Sequence, residues 1–165
     1  MSFYVGIDNG VSGAVCALHE NGAIGMVEKL PTYKCRHTDR NVVDVRALHR
    51  WLDVYKSPVC GVEIPLKGGA QKGSASTASM ADSFGSIRSL LRLKGWDWEA
   101  VKVNEWRKRY WPKRQEDYKA SGLTLARELW PDETWIPKGC RTVHSGLYEA
   151  ALIAEHIRRK HTEEK

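Results

Sequence analysis

The chain contains no apolar run longer than about seven residues. A helix needs roughly 20 to cross a bilayer, so no membrane span is expected. The opening Met1-Ser2-Phe3-Tyr4 has neither a basic segment nor a following apolar stretch, and no secretory leader is expected. The four cysteines, Cys16, Cys35, Cys60 and Cys140, form no C-x-x-C pair. That pattern argues against a zinc ribbon and against a disulfide framework, and makes a reducing cytoplasm the default setting. Cys35-Arg36-His37 is too short a cluster for a zinc site. Cys16 and Cys60 stand in apolar runs and read as small buried thiols. Repeats, low-complexity tracts and linkers are also missing. With 165 residues, one domain over 1–165 is the economical reading.

What is present is an ordinary globular composition with a basic balance. Lys and Arg number 26 against 20 Asp and Glu, a net charge of +6. That favours a polyanionic partner, nucleic acid first, although a solvated basic face has the same composition.

Residues 2–8 form a β-rich apolar run that stops at the turn signal Asp8-Asn9-Gly10. Residues 13–18 and 23–30 predict two more strands, joined by the hairpin dipeptide Asn21-Gly22. Together they predict an antiparallel meander. Residues 31–41 are polar and predict a loop. Val42, Val45, Leu48, Leu52 and Tyr55 have helical spacing over 42–55. Residues 58–64 predict a strand covered on both faces. Strand, helix, strand implies a right-handed crossover with parallel pairing. Further helices are predicted over 76–94, 115–130 and 145–160, with a strand over 98–103. The sum is an α/β fold with a mixed sheet.

Three carboxylates stand where apolar side chains are expected. Asp8 ends the first strand, Glu63 lies in Gly61-Val62-Glu63-Ile64-Pro65, and Glu149 lies in Leu147-Tyr148-Glu149-Ala150-Ala151-Leu152. Each has an ordinary alternative: a turn cap for Asp8, a solvent-facing edge for Glu63, the wet side of a helix for Glu149. A buried carboxylate is costly unless paired, hydrogen-bonded or bound to metal. Three on core elements point to a shared cation, and hard oxygen donors point to Mg²⁺ or Mn²⁺.

Gly6-Ile7-Asp8-Asn9-Gly10, then Gly61-Val62-Glu63, then His144 to Ala154 resemble, in order and spacing, the RuvC-type Holliday junction resolvases. The likeness is nearest to the phage-type members, within the ribonuclease H-like superfamily. The first motif alone also occurs in sugar kinases and actin-like ATPases, but a second lobe of that kind does not fit in this length. The resemblance implies a ribonuclease H-like five-stranded mixed sheet flanked by helices. It implies a Mg²⁺-dependent endonuclease, a homodimer, cutting four-way DNA junctions in the cytoplasm of a bacterial or phage-infected cell. Two ions per site would be held by Asp8, Glu63 and Glu149. Many phage-type members carry aspartate where Ser145 stands here. His144 is then the candidate for a fourth ligand or proton carrier, and Ser145 the N-cap of the last helix.

Lys67, Gln71 and Lys72 lie in a glycine-rich loop directly after Glu63. In the resolvase family this loop reaches into the junction, and the resemblance implies the same here. Arg107, Lys108, Arg109, Lys113 and Arg114 form the densest basic cluster, interleaved with Trp106, Tyr110 and Trp111. That mixture suits phosphates and unstacked bases, or a solvated helix face over buried tryptophans. The stripe Ala78, Ala81, Gly85 and Ser89 is the candidate dimer interface, or else packs on the sheet. A nuclease of other branched DNA, and a non-catalytic junction-binding protein, are the competing functions.

Overall fold

The computed structural model describes residues 2–65 and 74–163. Five strands form the main sheet: β1 (Phe3–Asp8), β2 (Ala14–His19), β3 (Ile24–Lys29), β6 (Val59–Glu63) and β7 (Trp98–Val101). Their order is β3-β2-β1-β6-β7. β1, β2 and β3 pair antiparallel, whereas β6 pairs parallel with β1 and β7 parallel with β6. This is the expected meander joined to two parallel strands. The β2–β3 turn closes as Asn21-Gly22 predicts: Gly22 donates to the His19 carbonyl at 2.9 Å and takes φ +86°. Glycine adopts that backbone without a Cβ clash.

Residues 31–43 depart from the predicted loop and helix start. They form a separate hairpin, β4 (Thr32–Cys35) paired with β5 (Arg40–Val43). Its side chains are mostly exposed, so no alternation of apolar and polar residues announces it. The following helix α1 therefore begins at Val45 and ends at Leu52. Asp44 fixes the start by accepting from the Arg46 and Ala47 amides, each at 3.0 Å. The predicted 98–103 strand is shorter too, because Val103 opens helix α3 (Val103–Tyr110). Asp117 caps α4 (Tyr118–Leu129) in the same manner as Asp44 caps α1.

Two cores cover the two faces of the sheet. Val5, Ile7, Cys60 and Val62 face α1 and α2 (Ser74–Leu93). Tyr4 and Cys16 face α5 (Ser145–Glu163), which crosses the sheet with Leu147, Leu152, Ile153 and Ile157 buried. Each such side chain contributes about 1.5–3 kcal/mol through burial. The approach of α5 is closer than side chains normally permit. A Cβ on Gly6 would stand 2.1 Å from the Ala150 carbonyl oxygen and 2.3 Å from the Ala154 nitrogen. The α5 backbone thus rests on the β1 backbone itself, just below Glu149.

The small-residue stripe on α2 does not pack on the sheet. Ala78, Ala81 and Ser89 are exposed, and a Cβ on Gly85 would meet nothing within 4 Å. Among the described residues no helix is long and apolar enough to cross a membrane.

Candidate active site

Asp8 and Glu63 end two neighbouring parallel strands. The register pairs Ile7 with Val62, so the next residue on each strand is a carboxylate. Alternation along a strand sends i and i+2 to one face. Tyr4 and Gly6 face α5, so Asp8 does as well; Gly61 lies against Ile157 of α5, so Glu63 shares that face. Both acids are half-buried. The α5 N-terminus meets them: a Cβ on Gly146 would lie 2.9 Å from Asp8 Oδ2 and 3.1 Å from His144 Nδ1. Asp8 and His144 therefore press against the same glycine.

Helix α3 reaches the other two acids through consecutive residues. Trp106 is buried, and its indole N–H donates to Glu63 Oε2 at 3.0 Å. Arg107 donates to Glu149 Oε1 at 3.2 Å and lies over the rings of Trp106 and Tyr118. The Glu149 side chain is only 16% exposed. Burial raises its carboxyl above the usual range, while the charges of Arg107 and Lys119 pull it back. Burial lowers the His144 imidazole, aided by Lys29 and Lys119. Its Nδ1 is buried with no hydrogen-bond partner. Ser145 is the first residue of α5 rather than its cap, and the His144 carbonyl accepts from the Leu147 amide at 3.1 Å. The Tyr148 phenol, one turn on, donates to the Lys119 carbonyl at 3.2 Å.

The basic candidates separate. Arg107 belongs to the acid cluster, whereas Lys108 is exposed on α3, and Lys113 and Arg114 are exposed on the α3–α4 connection. Arg109 pairs with Glu163. Lys67, Gln71 and Lys72 lie outside the described residues. The aromatic residues among them are packed rather than presented: Trp106 is 1% exposed, and the Tyr110 hydroxyl donates to the Leu152 carbonyl at 2.9 Å.

Sequence reasoning missed the contacts of four residues. Asn9, beside Asp8, is buried and donates to the Met80 carbonyl at 3.0 Å, tying α2 to the end of β1. Trp106 and Arg107 were legible as composition, but not as partners of Glu63 and Glu149. Glu155, one of the most buried acids, is gripped by Arg158 and Arg159.

The donor chemistry of Asp8, Glu63 and Glu149 suits a hard divalent ion, and the buried, unpartnered His144 Nδ1 beside Asp8 adds a nitrogen donor. Among the described residues, no three Asp, Glu, His or Cys side chains converge closely enough to hold an ion as they stand. Glu149 is turned onto Arg107 instead.

No family model matches the chain, and no curated protein matches it in sequence. Solved structures do. A T. thermophilus RuvC in complex with Holliday junction substrate superposes with a TM-score of 0.61 at 15% identity, covering 98% of both chains. A second Thermus thermophilus RuvC structure gives 0.56 at 16% identity, covering 98% of this chain and 96% of that one. At such identity the likeness speaks for architecture: this chain has the RuvC-type, ribonuclease H-like fold.

Proposed function

We propose that the chain is a divalent-metal-dependent endodeoxyribonuclease, one nuclease domain over residues 1–165, that resolves four-way DNA junctions. One observation carries the reading. Asp8 and Glu63 end adjoining parallel strands and face the helix that carries Glu149, in a fold like that of a RuvC bound to a Holliday junction.

The roles follow from the residues. Asp8, Glu63 and Glu149 would hold the ions, with Glu149 leaving Arg107 to do so. Two divalent ions, when bound, would activate water and neutralise the charge that builds on the phosphate and the leaving oxygen. Trp106 holds the Glu63 carboxylate at a fixed angle through its indole N–H. The neutral His144 imidazole, kept so by burial, can accept a proton beside Asp8. Arg107, freed of Glu149, carries a charge that a phosphate oxygen can take up. Lys108, Lys113 and Arg114 are exposed and suit backbone phosphates. Lys67, Gln71 and Lys72 follow Glu63 in sequence and would extend that surface. A two-fold homodimer fits two symmetric cuts, and the exposed small-residue face of α2 is available for it.

The test is cleavage of a labelled four-way junction with and without Mg²⁺ or Mn²⁺. Asp8→Asn should abolish cutting and retain binding. Full cutting by that variant overturns the mechanism. Parallel assays on three-way junctions, flaps and linear duplex separate junction resolution from general branched-DNA cleavage.

A second reading is a non-catalytic junction-binding protein, favoured by the engagement of Glu149 with Arg107. Tight junction binding with no cleavage in either metal would select it.

A further inference from the structure

A groove of about 630 Å³ opens directly beyond Glu63, between the end of β6 and the start of α3. Its volume falls within the range of ordinary small-molecule sites. The wall is apolar and partly aromatic: Ile64, Pro65, Val103 and the ring of Tyr118. The Asn104 side chain, exposed at the edge, offers both a donor and an acceptor. Lys102, Arg107 and Lys108 supply three cations, and no carboxylate is among the described lining residues. Arg107 also joins the groove to the acids, since its guanidinium lies 4.8 Å over the Tyr118 ring and 3.2 Å from Glu149.

Each component matches a different part of one ligand class. A flat aromatic and guanidinium surface stacks on a base, whichever base it is. An amide reads a base edge by hydrogen bonding. Lysines at the rim neutralise phosphate oxygens. A hydrophobic ligand would leave Lys102 and Lys108 without a role, and inorganic phosphate would leave the apolar wall without one. We propose that this groove is a nucleotide subsite, which receives one unpaired deoxynucleotide of the DNA strand next to the bond to be cut. The proposal rests on the nuclease reading for its biological setting and specifies where that substrate must be unpaired.

The experiment is a titration of the whole protein with dAMP, dCMP, dGMP and dTMP in EDTA, followed by amide chemical shifts. Inorganic phosphate and deoxyribose 5-phosphate serve as controls. Saturable shifts at Lys102 and Asn104 are expected with the nucleotides, and weaker binding with both controls. Asn104→Ala, at an exposed position, and Tyr118→Ala should each weaken nucleotide binding at least about 5-fold, whereas Tyr118→Phe should preserve it. No saturable binding, unchanged affinity in Asn104→Ala, or equal affinity for deoxyribose 5-phosphate overturns the subsite. Because the titration involves neither metal nor cleavage, its outcome is separate from that of the junction assay. Cutting without nucleotide binding removes the subsite alone, and nucleotide binding without cutting removes the nuclease alone.

Discussion

Arg107 and Glu149 face each other at 3.2 Å between α3 and α5, with their side chains 25% and 16% exposed. Among the described residues, Arg107 is the side chain that hydrogen-bonds the Glu149 carboxylate. Removing one partner leaves the other charge poorly solvated. In metal-free buffer, Arg107→Ala should cost about 1–2 kcal/mol, and combining it with Glu149→Gln should recover part of that loss. Urea unfolding of the two single variants and the double variant measures the coupling. Strict additivity would show that the pair does not interact in solution.

Gly6→Ala should be among the most damaging single substitutions. The new methyl would stand 2.1 Å from the Ala150 carbonyl oxygen, so α5 must lift away from β1. Overpacking of this kind costs about 1–3 kcal/mol when the surroundings can yield, and here the neighbour is backbone. A loss of about 3 kcal/mol in chemical denaturation is expected, and the proposed cleavage activity should fall as α5 lifts from β1. A neutral substitution would contradict the close approach of helix and strand.

Glu155 is 3% exposed and is gripped by Arg158 at 2.6 and 2.8 Å and by Arg159 at 2.6 Å. Burial pushes its carboxyl up, but the two guanidiniums outweigh burial and hold it below the usual value. A depressed folded value means this stabilisation is present above the unfolded pKa and is lost as pH falls through the folded one. Glu155→Gln should therefore cost about 3 kcal/mol near pH 7 and less in acid. Thermal unfolding of wild type and variant across pH 7 to pH 3, on the order of the carboxylate range, reads the convergence.

His156 titrates in the opposite chemical sense with the same pH direction. It is 5% exposed, and neither ring nitrogen has a hydrogen-bond partner. Burial lowers it first, and the charges of Arg109 and Lys160 lower it further, against Glu105 and Glu99. The folded state holds the neutral ring, so stability is complete above the unfolded histidine value of about 6.5 and declines as pH falls toward the depressed folded value. His156→Leu should flatten that decline. Urea midpoints between about pH 7.5 and pH 5 decide it, and an unchanged slope would exclude His156 as its source.

The parts of the fold legible in the sequence were those with a strong local signal. Asn21-Gly22 announced its hairpin, and apolar runs at 2–8 and 58–64 announced two strands whose parallel pairing followed from the helix between them. The placement of Asp8 and Glu63 followed directly, since each ends such a run. The β4–β5 hairpin was illegible because its pairing leaves most side chains in water, as a loop would. Glu155 escaped because a buried acid with arginines three and four residues onward has the same spacing as a solvated helix face. The grip of Trp106 and Arg107 on Glu63 and Glu149 depends on how α3 sits against α5, a relation between distant segments that no local pattern encodes.

The bond from the Asn9 amide to the Met80 carbonyl has a mechanical meaning. It couples the long helix on one side of the sheet to the residue adjoining Asp8, so the two shift together. Whatever clasps the outer surface of α2, a second copy of the chain included, thereby sets a fixed span to the acidic strand end. In the proposed homodimer, two such copies would hold their acidic strand ends like the jaws of a caliper.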